Sequence, residues 1–153
     1  MPERSELCLR RMEERDLPQV ASIEREAFLD PWSENAVRES LGLSCTILNV
    51  AETEGRVAGY ACAYLGADEA EITKVVVHAG LRRTGIGREI LEDLISRCRD
   101  EGVLSFILEV RSQNAAAVSL YKSAGFECVG TRRNFYQKPA DDALVMRLGR
   151  ELC

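Results

Sequence analysis

Along the chain the apolar positions fall into blocks with two different rhythms. The block that begins at position 85 reads as a helix: Ile86, Ile90, Leu91, Leu94, Ile95 and Cys98 recur at the spacing of one buried helical face, and Gly102 ends the run. The next stretch, "VLSFILEV" at 103–110, is apolar on both alternating faces except at Ser105 and Glu109, the pattern of a central strand covered on both sides. An apolar strand, "EITKVVVH" at 71–78, precedes the helix. Strand, helix and strand together predict a βαβ unit with parallel strands and a right-handed crossover.

The flanking blocks extend this pattern. "ELCLRRM" reads as a first strand, and "DLPQVASIEREAF" as a helix with Asp16 at its cap and Pro18 in its first turn, where a missing N–H costs nothing. "SENAVRESL" predicts a second, short helix capped by Ser33. "CTILNVAE" and "RVAGYACAYLG" predict two strands joined at Glu54 and Gly55 as a hairpin. After position 110, "NAAAVSLYKSAG" predicts a helix from Asn114 to Gly125, and "FECVGTRR" and "ALVMRLG" predict two closing strands. The expected architecture is one α/β domain over 1–153, its mixed central β-sheet antiparallel in the first half, parallel in the middle and antiparallel at the end, with helices flanking it.

Composition narrows what such a domain does. The chain has 153 residues, 46% of them hydrophobic, which suffices for one core. No apolar run is long enough to span a bilayer, and the N-terminal "MPERSELCLRR" is charged where a signal peptide needs an apolar stretch, so a cytoplasmic protein without a membrane partner is expected. A net charge of −5 argues against direct nucleic-acid binding and suits a basic polypeptide better, although ordinary solubility accounts for it too. The 6 cysteines form no C-x-x-C and His78 is the only histidine, so no metal site is expected, and most of the cysteines, lying in apolar patterns such as "YACAYL" and "LISRC", are read as reduced, packed thiols. Nothing in the pattern bears on oligomeric state.

The chemistry concentrates where the helix at 85 begins. The first N–H groups of a helix have no partner within it and carry the positive end of its dipole, so an anion set there meets several donors. Glycines at 85 and 87 let an anion approach closely; Gly80, Gly85 and Gly87 equally suit a plain tight turn from strand to helix. A nucleoside-triphosphate loop would need Lys and Ser or Thr after Gly85, where Ile86 and Gly87 stand. A dinucleotide fingerprint would need a small residue at Ile90, although Glu109 lies about where its ribose-binding carboxylate belongs.

What fits is R-x-x-G-x-G, here Arg82, Arg83, Thr84, Gly85, Ile86 and Gly87, after the apolar strand "KVVV" and before "LEVRSQNAAAVSLYKSAGF". In this the chain resembles the GNAT acetyltransferase superfamily. The longer motif, with "PWS", "RRNFY" and "DALVM", resembles within it the RimI-like ribosomal-protein alanine N-acetyltransferases, over nearly the whole chain from about residue 31 to 146. It departs from that pattern at Lys74, where a neutral polar residue is usual, and at Asp30, where an aromatic one is common.

The resemblance implies acetyl-CoA as cosubstrate and the N-terminal amine of a polypeptide, an alanine of a small-subunit ribosomal protein, as acceptor. It implies that Arg82, Arg83, Thr84, Gly85, Ile86, Gly87 and Arg88 hold the pyrophosphate, that the backbone of Val75, Val76 and Val77 meets the pantetheine and acetyl carbonyl, and that Asn114 touches the cofactor besides capping its helix. Glu109 becomes the base: a carboxylate in an apolar strand must be paired, protonated or turned to a cleft, and a structural ion pair with Arg111 or a neighbouring arginine is the competing account. Tyr121 becomes the acid that protonates the departing thiolate, where an isolated helical tyrosine would otherwise be core packing. Trp32, Phe135 and Tyr136 become peptide contacts; core packing explains Trp32 equally well, and the pair at 135 and 136 is expected in a loop between strands. Two alternatives stay open: an acetyltransferase with broader N-terminal, lysine or small-amine acceptors, and a non-catalytic acyl-CoA-binding module.

Overall fold

The computed structural model describes residues 6–81, 84–137 and 139–149. Strand β1 (Cys8–Arg11) leads through a 3-10 turn at Glu14–Asp16 into helix α1 (Leu17–Ala27), followed by α2 (Glu34–Leu41). Strands β2 (Thr46–Thr53), β3 (Arg56–Gly66) and β4 (Glu69–Val77) come next. Helix α3 (Ile86–Asp100) carries the chain to β5 (Ser105–Arg111), α4 (Ala115–Ser123) carries it to β6 (Glu127–Gln137), and β7 (Ala140–Gly149) closes it. The strands form one seven-stranded sheet in the order β1-β2-β3-β4-β5-β7-β6. Neighbours are antiparallel except β4 and β5, which run parallel as the βαβ pattern requires.

Local chemistry explains most of the boundaries. Ser33 accepts a hydrogen bond from the Ala36 N–H at 3.0 Å, and the Asn114 side chain accepts one from Ala117 at 3.1 Å, so both predicted caps hold. Glu54 and Gly55 have φ of 51° and 75°, the two left-handed positions of a tight hairpin whose twist matches its strands. Asp16 stands at the position expected but does not cap α1. Its backbone is already helical, because the 3-10 turn runs straight into α1, and its carboxylate instead takes the Glu13 N–H and the Arg10 guanidinium, each at 2.8 Å.

The two faces of the sheet carry separate cores. On one, all six apolar positions read from the α3 pattern are buried, packed with Ala61, Phe106, Leu108, Val110 and Tyr121. Each such Leu or Ile contributes roughly 1.5–3 kcal/mol by leaving water. On the other, Leu17, Val20 and Ile23 of α1 and Val37 of α2 pack on Val50, Tyr60, Cys62 and Val76. Successive strand residues face opposite ways, so the face of each strand residue follows from its buried neighbours.

Besides the Asp16 cap, three expectations need correction. β5 is covered on one side only: Phe106, Leu108 and Val110 are buried, whereas Ile107, Glu109 and Arg111 are half-buried, because α1 lies over β3 and β4 and does not extend across β5. Phe135 and Tyr136 lie within β6, not in a loop; the strand stays paired with β7 beyond a register shift between Arg132 and Tyr136. Of the cysteines, Cys62 and Cys98 are packed thiols, but Cys8, Cys45 and Cys128 are exposed. Cys8 points away from the core that its neighbours Leu7 and Leu9 pack against, Cys45 stands in the turn before β2, and Cys128 lies on the edge strand β6. Cys153 lies outside the described residues.

Candidate active site

The sheet opens between its two parallel strands. β4 and β5 are paired at Glu69, Ala70 and Glu71 against Ser105, Phe106 and Ile107, and pairing stops there although β4 continues to Val77 and β5 to Arg111. The register of β4 against β3 shifts at the same level, since Ala63 opposes Ile72 and Cys62 opposes Lys74, leaving Thr73 as the extra residue of a bulge. A bulge bends its strand and increases its twist, which turns the rest of β4 away from β5. The Thr73 hydroxyl donates to the Cys62 carbonyl across the bulge at 3.3 Å. Beyond it Val75, Val76 and Val77 remain paired to β3 through Ala61, Tyr60 and Gly59, so the edge of β4 towards β5 borders a gap.

At the end of β4 the start of α3 closes on this gap. Gly85 takes the left-handed conformation, φ 83°, at the position before the helix, and having no side chain it makes no cap to the first N–H groups. The Thr84 hydroxyl donates to the Leu81 carbonyl at 2.6 Å. A Cβ on Gly87 would stand 3.4 Å from Val77 of β4 and 3.5 Å from Leu120 of α4, so this glycine brings three elements together at the mouth of the gap. Ile86 is buried and anchors the turn, and Arg88 points outward to pair with Glu92 at 2.8 Å. Arg82 and Arg83, the basic residues of the motif, lie outside the described residues. Asn114 is exposed at the head of α4, its side-chain oxygen engaged by the Ala117 N–H.

Glu109 and Tyr121 flank the opening on different faces. Leu108 and Val110 point into the core under α3, so Glu109 points to the face that α1 leaves open. Its carboxylate lies 3.5 Å from Arg132, which reaches across β7 from β6. The ion pair weighed against catalysis is therefore present, but with Arg132. The Arg132 side chain is 59% exposed and the contact is long, so solvent screens the pair. Arg111 turns elsewhere, donating to the Pro139 carbonyl at 2.7 Å and lying 4.1 Å over the Tyr136 ring.

Tyr121 is 8% exposed and packs edge-on against Phe126, ring centres 5.8 Å apart. Burial, and then the neighbouring Tyr136, push its phenol up to about 12, so it holds its proton as a potential donor. Tyr136 is itself raised, first by burial and then by the Glu109 carboxylate. Tyr136 thus stands between the other two, sensing the Glu109 carboxylate and in turn influencing Tyr121. Phe135 meets Tyr136 edge-on at 5.0 Å but is 46% exposed, so the two adjacent aromatics separate into an inner and an outer residue.

Trp32 does not join that group. It stands across the open face, half-buried against the core beneath α1, with the Lys74 ammonium 3.9 Å from its ring centre. Lys74 reaches the buried Glu24 carboxylate at 2.6 Å, which sequence reasoning missed. The signal was there: Leu17, Val20, Ala21 and Glu24 share a helical spacing, so Glu24 falls on the buried face of α1. Gly59 was missed as well. A Cβ there would stand 2.5 Å from the Val76 carbonyl and 2.7 Å from Ile90, and a glycine inside the strand pattern "RVAGYAC" is the mark of such close approach.

Comparison with known proteins gives a consistent picture. The family model described as "Acetyltransferase (GNAT) family" matches residues 17–126. The [ribosomal protein bS18]-alanine N-acetyltransferase of Escherichia coli (strain K12) is 38% identical over 140 residues, which is 90% of this chain and 93% of that protein. The crystal structure of the ribosomal-protein-S18-alanine N-acetyltransferase from Escherichia coli superposes with a TM-score of 0.86 at 33% identity, covering 97% of this chain and 96% of the other. PaiA N-acetyltransferase from Thermoplasma acidophilum, solved in complex with coenzyme A, is alike in fold: TM-score 0.80, 16% identity, 95% and 99% covered.

Proposed function

The chain belongs to the GNAT acetyltransferase family, and on that premise we propose that it moves acetyl from acetyl-CoA to the α-amino group of an N-terminal alanine on a ribosomal protein. Acetyl-CoA is the cosubstrate of the family. The acceptor is supported by the likeness to the bS18-alanine N-acetyltransferases over nearly the full length of both chains. The observation that carries the chemistry is the parting of β4 from β5, with Glu109 on the open face beside the gap and Tyr121 beneath the other.

The residues present suit such a cosubstrate. The first N–H groups of α3, which have no partner within the helix, offer donors to a pyrophosphate, with Gly85 and Gly87 allowing close approach, and the edge of 75–77 towards β5 offers main-chain groups to a pantetheine arm and to the acetyl oxygen. The open face beside Glu109 admits a peptide terminus.

A protein α-amino group has an ordinary pKa of roughly 7.7–8.0, so part of it is still ammonium at neutral pH. Glu109 takes the proton that frees its lone pair. The amine nitrogen bonds to the acetyl carbon, and the carbon–sulfur bond breaks with its electron pair leaving on sulfur. Tyr121 supplies the proton that converts the departing thiolate to thiol, and the surplus proton on the bonded nitrogen returns to the tyrosine oxygen as the amide forms, while Glu109 releases its own proton to solvent. The products are an amide and free coenzyme A. A positioned amine is a competent nucleophile, so no covalent enzyme intermediate is required.

The test is incubation with acetyl-CoA and peptides that differ only at the first residue, read by mass. One added acetyl on the α-amine of the alanine peptide supports the proposal. Labelling of lysine side chains or small amines instead would replace it with the broader acceptor reading, and thiol release or binding without any acceptor turning over would replace it with a binding module.

A further inference from the structure

We propose that Lys74 is a positioning residue that, through Glu24, fixes the segment at 28–33 as the wall of the acceptor groove opposite Glu109. This rests on the acceptor approaching by the open face, as proposed above. Lys74 follows the bulge at Thr73 and points to the same face of the sheet as Val76 and Tyr60, the face to which Glu109 also points from β5. Lys74 and Glu109 therefore stand on one face, on the two strands that border the gap.

The contacts of Lys74 bear on that segment. Its ammonium lies 2.6 and 2.8 Å from the two oxygens of Glu24, whose side chain is fully buried. The same carboxylate accepts the Tyr60 hydroxyl and, at 2.9 Å, the backbone N–H of Trp32. The ammonium also sits 4.5 Å from the Phe28 ring centre and 3.9 Å from that of Trp32. Residues 28–33 form neither helix nor strand, so their course depends on side-chain anchors of this kind.

Stability alone gives little reason for this arrangement. Two charges withdrawn from water cost about as much as their attraction returns, and an apolar pair of the same shape often does as well. What the ion pair supplies is direction: donors from α1's partner strands and from the segment after α1 converge on one carboxylate. The cofactor side is held differently, by pairing of 75–77 with β3 and by α3 against Gly59. Loss of Lys74 should therefore disturb acceptor binding and leave acetyl-CoA binding in place.

Trp32 is the only tryptophan, so its fluorescence reports this contact directly. Lys74→Met is expected to change the Trp32 emission, to abolish the emission change on adding an alanine-initial peptide, and to raise peptide KM about tenfold, the weight of one misplaced anchor. The KM for acetyl-CoA should stay within about twofold. Because Lys74→Met leaves a buried carboxylate without its cation, the double variant Lys74→Met with Glu24→Gln and the single variant Phe28→Ala, at a 40% exposed ring, serve where the first fails to fold. Each should show the same split. An unchanged peptide KM in the folded variants, or an equal rise for acetyl-CoA, overturns the inference. Wild-type protein that acetylates no N-terminal peptide overturns the proposed function first, and the inference with it.

Discussion

Glu109 and Tyr121 occupy opposite faces of the sheet: the carboxylate stands on the face α1 leaves open, and the phenol lies in the core shared with α3. In the reaction proposed above, the proton acceptor and the proton donor would approach the space between β4 and β5 from opposite sides.

Replacing Glu109 with Gln should lower kcat by roughly 10²-fold to 10⁴-fold, as for general bases elsewhere. The thermal midpoint should hardly change, since the carboxylate makes only a long, solvent-screened contact with Arg132. Steady-state turnover beside a melting curve decides it, and undiminished turnover removes Glu109 from the mechanism.

Tyr121→Phe should slow transfer while acetyl-CoA affinity is largely retained. Because burial holds the phenol up to about 12, Tyr121 introduces no alkaline fall in wild-type kcat near 10.0, the ordinary value for the group. A defect confined to acetyl-CoA binding, measured by calorimetry, would make Tyr121 a cofactor contact instead.

Two glycines should separate binding from packing. Gly85→Ala strains a left-handed position by about 1–2 kcal/mol and tilts the first N–H groups of α3, so KM for acetyl-CoA should rise with modest loss of stability. Gly59→Ala sets a methyl against the Val76 carbonyl and Ile90, which should cost roughly 1–3 kcal/mol and displace β4 where it borders the gap. Its expected signature is a lower melting temperature together with weaker acetyl-CoA binding.

Stability should also fall in alkali. Burial pushes the Cys62 and Cys98 thiols from the ordinary 9.0 up to about 11, so between these values the folded chain keeps protons that the unfolded chain has lost. That contribution is fully present below pH 9.0 and disappears as pH rises through about 11. Denaturant midpoints measured across this interval should decline, and the double variant Cys62→Ala with Cys98→Ala should decline less steeply over it.

The sequence carried more of the fold than of the site's geometry. The buried stripe of α3, the caps at Ser33 and Asn114 and the turn at Glu54 and Gly55 were legible because each depends on residues a few positions apart. Asp16 misled because a helical turn ran on through it, and Phe135 and Tyr136 misled because a strand at the sheet edge tolerates exposure and a register shift without ending. Glu109 stood out as a carboxylate in an apolar strand, yet neither its open face nor Arg132 as its partner could be read from its neighbours.

By itself, then, the sequence determined the order and kind of the elements, the parallel crossover around α3 and the glycine-lined start of that helix, all of which follow from spacing and local backbone chemistry. Only the tertiary structure decided where β4 leaves β5, which half of the sheet face α1 covers, and that Lys74 would find Glu24 across 50 residues of chain. Those outcomes depend on strand register and on how helices seat against the sheet. Both are settled by packing the whole chain at once, and no local rhythm of apolar and polar residues encodes them.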